Sequence, residues 1–213
     1  MKNLKLFSIL AVLLAAISFT SCNSDSDNGQ QLPTKEESSA MLFKVAGHHS
    51  CGILFPGDGK KENSTIAKDS IETDFYVSAS DSAFTITNFP VSLFSKYIKD
   101  ENISKQVATL PNQNLTGKLL PYDYATTLFG SYTNNIEFTD ASGKKVTLAL
   151  YGGYNSYCLA GYATNQTTKK QSFMMYLTLG AVYVDGKLQS DALNTYSSYY
   201  GTAPYTVYLQ YML

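Results

Sequence analysis

Apolar residues recur at every second position in one stretch of this chain after another, and that period confines most of it to half-buried β-strand. Met41, Phe43, Val45, Gly47, His49, Cys51, Ile53 and Phe55 make the first run. Ile71, Thr73, Phe75, Val77 and Ala79 make the second, and after Ser80-Asp81-Ser82 a third runs from Ala83 to Phe89. Ile136 and Phe138 return as Val146, Leu148 and Leu150 across the turn Asp140-Ala141-Ser142-Gly143. Ser156 to Thr164 and Gln171 to Val184 form another pair, Asp185-Gly186 is the sharpest turn signal, and Tyr205 to Leu213 closes the series. Two short helices interrupt the strands. Pro90 opens one, with Val91, Phe94 and Ile98 on a single stripe beside Leu93 and Tyr97; Ile103 to Leu110 forms the other, stopped by Pro111.

These patterns predict a mainly β domain of antiparallel sheets, a sandwich or a closed barrel, with one or two short helices; α+β is the alternative. The folded body is expected as a single β-rich domain over 41–213, with 111–132 the place where a subdomain break would fall. The segment Val45-Ala-Gly-His-His-Ser-Cys-Gly-Ile-Leu54 resembles the opening strand of lipocalin-like barrels, in which a glycine precedes a packed aromatic. That resemblance implies a barrel and puts His49 in the aromatic's place.

Residues 1–21 are of a different kind. Lys2 and Lys5 precede a 12-residue apolar run, Leu6 to Ile17, which ends at Ser18-Phe19-Thr20-Ser21-Cys22. As a helix such a run spans about 18 Å, against a bilayer core of roughly 30 Å, so it reads as an export signal rather than a membrane span. Ordinary cleavage after Ser21 would leave bulky Phe19 three positions before the cut, where small residues are preferred. Cys22 is therefore expected to be the acylated first residue of the mature protein. The residues FTSC followed by NSDSDNG resemble Bacteroidota-type outer-membrane lipoproteins. The resemblance implies a lipid anchor in the outer membrane, and Asp25 and Asp27 behind the cysteine imply display on the cell surface over the periplasmic face. Residues 22–40 are polar and read as a flexible tether.

Charge narrows the partners. All 16 basic residues are lysine. Once Lys2 and Lys5 leave with the signal, 14 lysines face 17 acids, a net charge of −3. Arginine is the usual bidentate partner of phosphate and guanine, so no nucleic acid is expected as a ligand. The chain has 17 tyrosines and no tryptophan. Tyrosine suits both strands and recognition surfaces, because it offers a broad face and a polar tip.

Few residues invite chemistry. On a strand His49 and Cys51 share a face while His48 points away, so only two of the three could meet one ion, and a structural zinc wants four ligands. No metal or other cofactor is expected. The chain has no Gly-x-Ser-x-Gly elbow, phosphate loop or dinucleotide fingerprint. Cys51 and Cys158 could form a disulfide or remain two buried thiols. Tyr151, Tyr154 and Tyr157 around Gly152-Gly153 are the candidate binding residues, since paired glycines admit a ligand to the backbone and rings could stack on it. The reading is a lipid-anchored protein of the cell envelope with a non-catalytic binding or structural role toward an unidentified ligand or protein. The alternative is a surface hydrolase with a carboxylate or Cys–His site.

Overall fold

The first strand-like run begins as a helix. The computed structural model describes residues 32–56, 68–150, 158–164, 168–194, 196–198, 201–203 and 206–213. Helix α1 (Lys35–Val45) starts on a capping box: Thr34 Oγ1 accepts from the Glu37 amide at 3.2 Å, and Glu37 Oε2 accepts from the Thr34 amide at 2.8 Å. Such a box is worth about 1 kcal/mol, and Glu36, Glu37 and Lys44 also suit the helix dipole. Met41, Leu42 and Val45 then share the buried helical face while Phe43 turns outward, 73% exposed. Helical structure is thus already present from Lys35, ahead of Met41. Gly47, at φ +111°, makes the turn from helix to sheet, a conformation open to glycine.

Thirteen strands follow among the described residues. The first five are β1 (Gly47–Pro56), β2 (Lys68–Ser78), β3 (Ala83–Phe89), β4 (Gln113–Asp123) and β5 (Leu128–Thr133). They are followed by β6 (Ile136–Thr139), β7 (Lys145–Leu150), β8 (Cys158–Thr164), β9 (Gln171–Val184) and β10 (Lys187–Leu188). The last are β11 (Tyr196–Ser198), β12 (Gly201–Ala203) and β13 (Thr206–Met212). Strands β1, β2, β3, β4, β5, β8, β9 and β13 pair antiparallel in that spatial order, and β13 returns to β1, so the eight close a barrel. Of the architectures open to the sequence, the barrel is the one formed. Closure removes the free edges that an open sheet would expose.

Strand β9 serves two structures. Its first half is a stave between β8 and β13; its second half runs past the barrel and pairs with β7, which carries β6, and with β10. Beyond β3 a 3-10 helix (Val91–Tyr97) and α2 (Glu101–Thr109, capped by Asp100) lie against this extension. The Ala141 amide donates to Gln106 Oε1, and the Lys99 amide donates to the Ala192 carbonyl.

Strands β4 and β5 are adjacent staves, and Leu32–Leu213 is one compact unit. Gly117 and Pro121 obscure β4 in the sequence, yet each has a place. Pro121 stands where the register shifts, and Gly117 lies under the ring of Phe84.

The lumen is core. Phe75 packs against Phe84, Phe173 and Tyr211 at centroid distances of 5.6 Å each, and Phe173 stacks on Tyr211 at 5.0 Å. Ile53, Phe129, Met175 and Leu209 complete the filling, all fully buried. Eight strands leave room for side chains or for one small ligand, and here the side chains occupy it. Met41 and Val45 of α1 belong to the same buried cluster.

Candidate functional site

The expected site residues part company. Cys22, Tyr151, Tyr154 and Tyr157 lie outside the described residues. Cys158 opens β8 opposite Ser131, with its side chain outside the description. Cys51 is buried and carries a free thiol. Its sulfur donates to the Thr73 carbonyl at 3.3 Å.

The histidines take opposite faces, as strand alternation requires. His48 lies outside against Tyr76, ring centroids 4.4 Å apart. His49 stacks on Tyr211 at 4.1 Å, and its Nε2 lies 3.1 Å from the Val45 carbonyl and 3.2 Å from that of Ala46. Carbonyls only accept, so Nε2 carries the proton. Tyr211 Oη donates to the same Val45 carbonyl at 3.1 Å. Together these rings satisfy the end of α1, which is structural work. Among the described residues no group of three or more His, Cys, Asp or Glu could hold a metal.

Burial, and after it the charge of Asp74, pushes the Cys51 thiol up from 9.0 to about 12. Burial and then Cys51 also raise Tyr211 above its ordinary range. Below pH 9 both folded and unfolded chains hold the thiol proton. Above it the unfolded chain releases the proton first, so stability falls as pH rises from about 9 to about 12, by at most about 1.4 kcal/mol per pH unit for this group. Denaturant midpoints measured at pH 8 and pH 11 should converge for Cys51→Ala relative to wild type. An equal pH slope in the two proteins would refute this.

A cleft of about 830 Å³ opens where α2, the β6–β7 turn and the β9–β10 turn meet. Asp100, Asp140, Asp185 and Asp191 line it with Lys144 and Lys187. Its carboxylates are already engaged. Asp100 caps α2, and Asp185 accepts from the Lys145 amide at 3.0 Å. Asp140 holds its own turn, where the Ser142 hydroxyl and then the Lys144 amide keep it below the ordinary carboxylate range. Asp191 pairs with Lys99 at 3.7 Å.

The outer wall offers more. The register sets Leu54 against Tyr208 and Tyr208 against Tyr176, and carries Leu159 beside Tyr176. The two tyrosine rings meet edge-on at 5.1 Å, and Leu159 and Tyr176 are 42% and 38% exposed. Met174 sits in the next row, against Gln210. Four strands make this row about 14 Å wide. The sequence carried one signal for it: β9 is apolar on both phases, with Phe173, Met175 and Leu177 inward and Met174 and Tyr176 outward. A strand that serves only a core would be polar on one of them.

By fold, this is an antiparallel eight-stranded β-barrel with a filled lumen, a helix at one end and a small sheet extension at the other. The chain belongs to the family described as Domain of unknown function (DUF4840), whose model matches residues 44–184. That span runs from the last turn of α1 to the end of β9, and the closing strand β13 lies beyond it. No curated protein and no solved structure matches the chain.

Proposed function

We propose that the protein is a lipid-anchored, non-catalytic recognition module of the outer membrane, displayed at the cell surface, with its binding face on the outer wall of the barrel. One observation carries this reading: aromatic side chains occupy the lumen, while Leu54, Tyr208, Tyr176 and Leu159 form an apolar row on the outside. A row of rings and aliphatic chains across parallel ridges suits an extended ligand, a glycan or a peptide, lying over the strands. The Cys22 export pattern supplies the anchor. The hydrolase alternative needs carboxylates free to act across one pocket, and those of the cleft hold turns, a helix end and an ion pair.

Mass spectrometry of the membrane fraction should find the mature chain beginning at acylated Cys22. Tyr176→Ser with Tyr208→Ser should abolish capture of the glycans or peptides that the wild type retains on arrays, with its melting temperature little changed. Undiminished capture by the double variant would remove the outer wall from the mechanism.

A further inference from the structure

Exposed apolar side chains gather toward the rim where α1 packs, the end of the described chain nearer in sequence to Cys22. Strands β1, β3, β5 and β9 begin where α1 packs, and β2, β4, β8 and β13 end there. Phe43 is 73% exposed on the outer face of α1, and Met212, at the end of β13, is 55% exposed. Tyr124 in the β4–β5 turn is 47% exposed, and Leu32 just ahead of α1 is 45% exposed. Lysines stand among them, all exposed: Lys44 on α1, Lys170 ahead of β9, and Lys118 of β4, whose Nζ donates to the Asp81 carbonyl at 2.7 Å. Three carboxylates of this rim are occupied locally. Glu37 closes the capping box, Asp81 accepts from Ser80, and Asp123 accepts from the Ala125 and Thr126 amides.

We propose that this rim docks on the bilayer, with Phe43 and its apolar neighbours entering the headgroup boundary and the lysines facing lipid phosphates. The proposal rests on acylation of Cys22. Eleven residues separate Cys22 from Thr34, twelve Cα–Cα links in all. Fully extended these links reach roughly 42 Å, so an acylated Cys22 would hold α1 and the rim beside it within that distance of the membrane. Confinement raises the effective concentration of a weak second contact until it is populated, which a free domain with the same side chains would not achieve. Aromatic rings and lysine stems are suited to that boundary, the rings by their amphipathic shape and the lysines by reaching outward to charge.

The chain has no tryptophan, so one introduced indole is a clean reporter. Lipidated Phe43→Trp and Leu188→Trp would be reconstituted in phosphatidylethanolamine–phosphatidylglycerol vesicles. Leu188 is 57% exposed on the hairpin at the opposite end of β9. Phe43→Trp should shift its emission to shorter wavelength and be quenched by lipids brominated in their acyl chains, whereas Leu188→Trp should do neither. Equal emission from the two variants on vesicles that float with the protein overturns the docking and leaves the anchor standing. Failure to float with the vesicles overturns the anchor, and the docking with it. A blue shift of Phe43→Trp that appears without vesicles and grows with protein concentration assigns the rim to a second copy, against the proposal.

Discussion

Gly117→Ala is expected to destabilise the barrel by about 3 kcal/mol, large for a single methyl group. A Cβ built at Gly117 falls 2.0 Å from the Tyr132 carbonyl oxygen and 2.6 and 2.7 Å from two ring carbons of Phe84. The ring could swing aside, but the carbonyl belongs to the backbone of β5, the stave paired with β4. Relief therefore means parting two strands of a closed barrel, where no edge is free to yield. Phe84 is opposite Gly117 in the register and fully buried, so its displacement disturbs the contact with Phe75 too. Gly52→Ala is the matched control: it also lies in a barrel strand, and its Cβ would meet nothing within 4 Å. Denaturant unfolding should give a near-wild-type midpoint for Gly52→Ala and a much lower one for Gly117→Ala, with similar slopes. Matching midpoints would show that strand β4 does not pass under Phe84 as described.

That glycine also explains where the sequence was hard to read. Strands with alternating apolar residues and marked turns were legible, among them β2, β3 and the β6–β7 and β9–β10 hairpins. At Asp185-Gly186 both residues take positive φ, 49° and 76°, as a tight hairpin of this kind requires. Strand β4 was not legible, because Gly117 and Pro121 are strand-breakers whose use depends on Phe84 and on a bulge, both supplied by neighbours. The run Met41–Phe43–Val45 misled for a related reason. Two periods compete there, and the Thr34–Glu37 box, lying outside the run, decides for helix. The separation of His48 from His49 followed from alternation alone. The outer row did not, since it needs Leu54 beside Tyr208, a pairing across almost the whole chain that only barrel closure creates. Composition placed tyrosines in strands; register decided which of them share a face.

Phe173→Ala is expected to be the costliest substitution in the lumen, at about 3–5 kcal/mol. Its ring contacts Phe75 at 5.6 Å, Tyr211 at 5.0 Å and Phe129 at 6.3 Å, so its loss leaves three rings without their common partner. It also stands on β9, which holds the barrel and the extension together, so the two should weaken as one. In a domain of this size the melting temperature should fall by roughly 10 °C. Phe43→Ala, which removes the same ring from a side chain 73% exposed, should change it by little. A second readout separates a dry core from a ligand chamber. The space left by Phe173 is walled by Phe75, Phe129, Met175 and Tyr211, apolar apart from one hydroxyl that Val45 engages. Apolar cavities of this kind stay empty of water and admit small aromatic molecules. Benzene should therefore raise the melting temperature of Phe173→Ala and leave wild type unmoved. A wild-type protein that benzene stabilises equally would mean that the lumen already holds room for a ligand, and recognition would then belong inside the barrel rather than on its wall.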